Sequence, residues 1–160
     1  MIEAFSYDSI NGLKFGATLG EAIEIFGKPA SRGKIRSEVE EFFYDKYRIG
    51  FDKNNKFSDF ELYPQTKAKI NGVEIGWTLK EILDIIKLDK DPRIDDDGIT
   101  LYDLGIYIYA FDGSDDDDFS DKTISFFAKG EMDQYKEDSE PFNIDIVKQK
   151  IKAWKLNIAF

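Results

Sequence analysis

Two aspartate-rich segments carry most of the chemical potential of this chain: Asp95-Asp96-Asp97-Gly98 and Asp112-Gly113-Ser114-Asp115-Asp116-Asp117-Asp118. Carboxylates at this density can coordinate a hard cation, act as a paired acid and base, or attract a cationic partner. The EF-hand spacing fails, because counting from Asp112 puts Asp117 where that loop needs glycine and Thr123 where it needs glutamate. An irregular Ca²⁺-binding loop stays open as the alternative reading. Catalysis by an aspartate pair depends on a separation in three dimensions, which sequence does not give. Electrostatic docking needs no further assumption, since four consecutive aspartates repel one another and a cationic partner that neutralises them gains affinity and a steered encounter.

Between the two segments, Tyr107, Tyr109 and Phe111 alternate with Ile106, Ile108 and Ala110, so the two sets point to opposite faces of a strand. If the isoleucines pack under a helix, the tyrosines line the other face, where a large rigid ring beside charges makes a binding hot spot. The expected partner-binding surface is therefore Asp95, Asp96, Asp97, Tyr107, Tyr109, Asp112, Asp115, Asp116, Asp117 and Asp118. The competing possibilities are that the aspartates only keep the protein soluble and that the rings are buried between packed sheets.

The remaining composition narrows the chemistry. There is no cysteine and no histidine, which removes disulfides, thiol nucleophiles, thiolate metal sites and the side chain best suited to proton transfer near neutral pH. A non-catalytic protein without a cofactor is the expectation. From Asp91 to Asp121 there are eleven aspartates against one base, Arg93, and this stretch alone accounts for the net charge of −10. The rest of the chain balances at 21 acidic and 21 basic residues. A surface this acidic is not expected to bind DNA, RNA or anionic lipid directly. No apolar run approaches a membrane span, and Met1-Ile2-Glu3-Ala4 opens without the basic and apolar runs of a secretory signal, so a cytoplasmic location is expected.

The elements that position these residues come from a duplication. Ile10-Asn11-Gly12, Gly16, Thr18-Leu19, Glu21 and Ile25 return 60 positions later as Ile70-Asn71-Gly72, Gly76, Thr78-Leu79, Glu81 and Ile85. Tyr44-Asp45, Phe51-Asp52 and Phe57-Ser58-Asp59 are echoed by Tyr102-Asp103, Phe111-Asp112 and Phe119-Ser120-Asp121 at offsets of 58 to 62. In each copy Asn-Gly marks a tight turn, and Thr with Glu three residues on marks a capping box that starts a helix. The helices carry the stripes Leu19, Ala22, Ile23, Phe26 and Leu79, Ile82, Leu83, Ile86. Strands are predicted over 41–47, 48–52 and 57–63, then over 98–102, 105–111 and 122–128. The expected fold is α+β: two tandem repeats, residues 1–66 and 67–129, each a helix on a three- to four-stranded antiparallel sheet. Residues 130–160 add a polar loop and a C-terminal amphipathic helix on which Ile144, Val147, Ile151 and Trp154 face the body.

Tandem units that open with Gly-x-Thr-Leu-x-Glu, end a helix with Phe26-Gly27-Lys28-Pro29 and continue into antiparallel strands resemble the β-lactamase inhibitor protein. The same pattern occurs singly in the small outer-membrane assembly lipoproteins. The resemblance covers about residues 10 to 128 and implies a concave, aromatic and charged sheet surface that grips a partner protein without catalysis. The chain departs from it in having no cysteine to accept a lipid or form disulfides, and it is expected to carry no signal sequence. In size and charge it is similar to the immunity proteins encoded beside bacterial toxins, including those of contact-dependent inhibition. The implied partner is a cognate toxin or other basic protein, for instance a nuclease whose phosphate-binding cleft the carboxylates would occupy. Nothing in the sequence fixes the oligomeric state.

Overall fold

The computed structural model describes residues 1–35, 38–111 and 122–149. The chain opens with β1 (Ile2–Phe5), β2 (Ser9–Ile10), β3 (Leu13–Lys14) and α1 (Leu19–Phe26), followed by the meander β4 (Ser31–Ile35), β5 (Val39–Phe43), β6 (Tyr47–Phe51) and β7 (Phe57–Leu62). The second half runs β8 (Ala68–Ile70), β9 (Val73–Ile75), α2 (Leu79–Ile86), β10 (Pro92–Ile94), β11 (Gly98–Leu101), β12 (Ile106–Tyr109) and β13 (Thr123–Phe127). A 3₁₀ turn (Asp133–Tyr135) and β14 (Glu140–Pro141) lead to a helical stretch at 144–149. Among the described residues no helix is long and apolar enough to cross a membrane.

The expected α+β pair of helix-plus-sheet repeats is overturned. Among the described residues the regular structure is mostly β, and two sheets take strands from both halves: five strands in the order β3-β2-β1-β8-β9, and nine in the order β14-β10-β11-β12-β13-β7-β6-β5-β4. The physical reason is edge pairing. Separate repeats would leave β7 and β13 with a free row of backbone groups each, and instead they pair antiparallel, with Leu62 opposite Ile124 and Phe60 opposite Phe126. In the smaller sheet β1 pairs in parallel with β8, which sets Ile2 beside Ala68 and Ala4 beside Ile70. The strands that sequence reading missed are the short ones and β4, Ser31-Arg32-Gly33-Lys34-Ile35, which lacks an apolar alternation.

Local signals act where they stand. Asn11 and Asn71 adopt φ of 49° and 50°, and Gly12 and Gly72 follow at 84°, the paired positive values of a two-residue hairpin turn. The asparagines also join the sheet, Asn11 Oδ1 accepting from Glu3 N at 2.7 Å and Asn71 Oδ1 from Ser6 N at 3.0 Å. Thr18 Oγ1 accepts from Glu21 N, and the Glu21 carboxylate accepts from Thr18 N, both at 3.2 Å, so α1 starts where the capping box predicts. Thr78 likewise accepts from Glu81 N at 3.2 Å. The helices differ in use: α2 buries Ile82, Ile85 and Ile86, whereas α1 buries Ala22 and leaves Ile23 and Ile25 exposed.

One apolar cluster joins the halves. Phe42, Ile49, Phe60 and Leu62 from the first meander and Ile82, Ile99, Leu101 and Ile106 from the second half are all within 1% of complete burial. Val147 is fully buried in the same cluster, with Ile144 packed against it. Ile151 and Trp154 of the predicted stripe lie outside the described residues.

Candidate functional site

Alternation along each strand decides what the nine-stranded sheet shows on its other face. With Ile49, Phe60, Leu62, Ile106, Ile108, Ile124 and Phe126 turned into the core, their neighbours Arg48, Asp59, Glu61, Tyr107, Tyr109, Thr123 and Ser125 turn outward. The register lines them up. Arg93, Thr100, Tyr107, Ser125, Glu61, Arg48, Phe43 and Ser31 sit directly opposite one another in succession, a single row across eight strands from β10 to β4.

On the first half of this outer face the charges are gathered around one cation. Arg48 reaches Glu41 at 2.9 Å, Asp59 at 2.5 Å and Glu61 at 3.3 Å, with its own side chain only 15% exposed. Burial works against the charged guanidinium, but Asp59, Glu61 and Glu41 outweigh it and hold Arg48 protonated more firmly than an ordinary arginine. Gly50 makes room for the cluster, since a Cβ there would stand 2.0 Å from Asp59 Oδ1 and 2.7 Å from Arg48 Nη1.

On the second half the face is aromatic. Tyr107 is half-buried; burial pushes its phenol well above the ordinary tyrosine value, and the nearby Asp95 and Asp97 carboxylates push the same way. Tyr109 is exposed. The Asp95 carboxylate accepts from the backbone of Asp97 and of Gly98, each at 2.9 Å, so it builds the β10–β11 turn. Asp96 and Asp97 stand exposed at its tip, and the Asp97 carbonyl accepts from the N–H of Ala110 and of Phe111. That places Asp95, Asp96, Asp97, Tyr107 and Tyr109 at one end of the outer face. Asp112 and Asp115 to Asp118 lie outside the described residues. Among the described residues no three carboxylates are grouped to hold a metal ion.

A strap, residues 129–139, borders the aromatic end. Arg93 donates from Nε to Ser139 Oγ at 3.0 Å and from Nη2 to the Ser139 carbonyl at 2.7 Å, Tyr102 donates its hydroxyl to Met132 O at 2.9 Å, and Lys136 ion-pairs with Asp91. Beneath it opens a cleft of about 430 Å³ that includes Tyr7 from the β1–β2 turn. Sequence reading missed this cleft and the Arg48 cluster. The i, i+2 spacing of Asp59 and Glu61 on a predicted strand was a usable signal for the cluster; for Tyr7 there was none. No family model, no curated protein and no solved structure matches this chain significantly.

Proposed function

We propose that the protein is a non-catalytic binding module that neutralises a basic protein in the cytoplasm, a bacterial toxin in the manner of an immunity protein, through the aromatic end of its outer sheet face. The observation that carries this reading is the division of that face. Glu41, Asp59 and Glu61 of the first half converge on Arg48, whereas the second half presents the exposed Asp97 at the tip of the β10–β11 turn, with the exposed Tyr109 opposite Gly98 at the same end of the strands. Rigid rings beside outward carboxylates suit a lysine- or arginine-bearing surface, because the ring buries area at little entropic cost and the carboxylates steer the encounter. A nuclease fits such a partner, since its substrate cleft is basic.

The test is capture of the partner. The tagged protein is expressed in its native host and recovered at low and moderate salt, beside a variant carrying Tyr109→Ala, Asp96→Asn and Asp97→Asn. A stoichiometric basic protein held by the parent and lost with the variant is expected, and its toxicity should be suppressed by co-expression of the parent alone. Absence of any such protein at either salt, or undiminished capture by the variant, would contradict the reading.

A further inference from the structure

The cleft under the strap is a seat for cations that the protein fills with its own side chains. Lys136 Nζ lies over the Tyr102 ring at 5.0 Å from its centroid and pairs with Asp91, and Lys129 Nζ lies over the Tyr7 ring at 6.0 Å; Lys90, Asp103 and Asp133 line the same cleft, so its lysines and aspartates balance while Lys136 is seated. An ammonium on a tyrosine face with a carboxylate beside it is how proteins recognise lysine and arginine side chains.

The seat is braced by buried contacts, and the side chain of its occupant is half exposed. Tyr7 adopts φ of 58°, a rare conformation for an aromatic residue, and is kept there from three sides. Its hydroxyl donates to the Tyr102 carbonyl at 2.5 Å, its ring meets Phe127 edge-on at 5.8 Å, and it lies against Gly105, where a Cβ would come within 3.1 Å of the ring. Asp89, almost fully buried, accepts from the backbone of Asp103 and of Leu104 at 2.9 and 2.8 Å and so fixes the cleft floor. The occupant is held differently: Ser139 fixes the Lys136 backbone, its Oγ donating to the Lys136 carbonyl at 2.6 Å, while the Lys136 and Asp91 side chains are 47% and 42% exposed. In the first half the counterpart tyrosine, Tyr44, is covered instead by the Tyr47 ring at 4.9 Å.

We propose that this cleft is a receptor for a basic side chain, that Lys136 is its resident occupant, and that a lysine- or arginine-bearing loop of the protein partner takes the place of Lys136. The source of the incoming cations rests on the functional reading above, whereas the seat is testable without it. The probe is acetyl-Lys-Gly-Lys-amide, titrated into the full chain labelled with ¹⁵N and ¹³C, with acetyl-Glu-Gly-Glu-amide as control. The dicationic peptide should give saturable shifts at Asp91, Tyr102 and Asp103, move the Lys136 Cε resonance out of its ring-shifted position, and bind Lys136→Gln at least tenfold more tightly than the parent. The acidic control should do none of this. Equal affinity for parent and variant, or no saturable shift at these residues in either, would overturn the proposal. Should Lys136→Gln disturb the strap, displacement of Lys136 Cε in the parent still decides. A failed partner capture would leave this titration intact, and a failed titration would leave the capture intact.

Discussion

The two halves of the outer sheet face solve one electrostatic problem in different ways. Around β6, Glu41, Asp59 and Glu61 converge on the single guanidinium of Arg48 and are fixed there by ion pairs within the sheet. Around β11 and β12 Asp95 is bound into a tight turn beside tyrosines, and Arg93 donates to Ser139 of the strap. Duplicated sequence thus yields one half whose carboxylates are drawn together on a cation and one whose carboxylates sit on a turn beside tyrosines. Where a charge is satisfied decides whether it stabilises the fold or recruits a partner.

The helix ends repeat the lesson. α1 ends at Gly27, whose carbonyl accepts the Tyr44 hydroxyl at 2.8 Å, a direct tie from helix end to the first hairpin of the meander. In the second half that tie is made by Asp89, which accepts from the N–H groups of Asp91, Asp103 and Leu104. The equivalent tyrosine, Tyr102, is thereby released to hold the strap and to line the cleft.

Breaking the Arg48 cluster should have the largest effect. Arg48→Ala leaves Glu41, Asp59 and Glu61 without their shared cation and should cost about 3 kcal/mol in urea unfolding at neutral pH, because a mostly buried pair loses one partner. Tyr109→Ala on the second half should stay within about 0.5 kcal/mol of the parent. Similar losses for the two would erase the distinction.

A glycine on each half sharpens it. At Gly98 an added Cβ would lie 2.0 Å from the backbone oxygen of Ile108, which cannot step aside, whereas at Gly50 the obstacle is the movable end of Asp59. Gly98→Ala should cost about 2–3 kcal/mol and Gly50→Ala about half that, read from thermal unfolding. The helix ties rank next. Asp89→Ala orphans three backbone donors beneath a buried site and should cost about 2 kcal/mol, and Tyr44→Phe, which removes one bond near the surface, about 0.5–1 kcal/mol.

The smallest effect appears at alkaline pH. Burial, and then the Asp89 and Asp133 charges, push the Tyr7 phenol from 10.0 up to about 12. In that window the folded protein keeps a proton that the unfolded chain has released, so this contribution is intact below pH 10 and is lost as pH rises toward 12. Tyr7→Phe should flatten that part of the stability profile, and an unchanged slope would show that the phenol is not held as the structure has it.

Legibility followed the range of the forces involved. Caps and turns were readable because Thr18, Glu21, Asn11 and Gly12 act on neighbours within a few residues. The merged sheet was not, because pairing of Leu62 with Ile124 joins residues 62 positions apart, and nothing in either strand states that its free edge will find the other. At the site, the alternation around Tyr107 showed that Tyr107 and Tyr109 face outward but not that Phe111, past the end of β12, is buried, and the Arg48 cluster depends on three strands in register. Tyr7 depends on a turn that places it 95 residues away from Tyr102 in sequence. Aspartates counted as one acidic surface also divide by role, since Asp95 is bound into a turn while Asp96 and Asp97 are exposed at its tip.

The central claim, that the second half of the face receives a basic partner, is tested most directly by the affinity of the captured partner for two matched surface variants. One carries Tyr109→Ala, Asp96→Asn and Asp97→Asn; the other carries Glu38→Gln and Asp45→Asn, two exposed carboxylates of the first half. Calorimetry should show at least a tenfold loss for the first, about 1.4 kcal/mol, and no change for the second. Full affinity in the first variant, or an equal loss in both, would contradict the account.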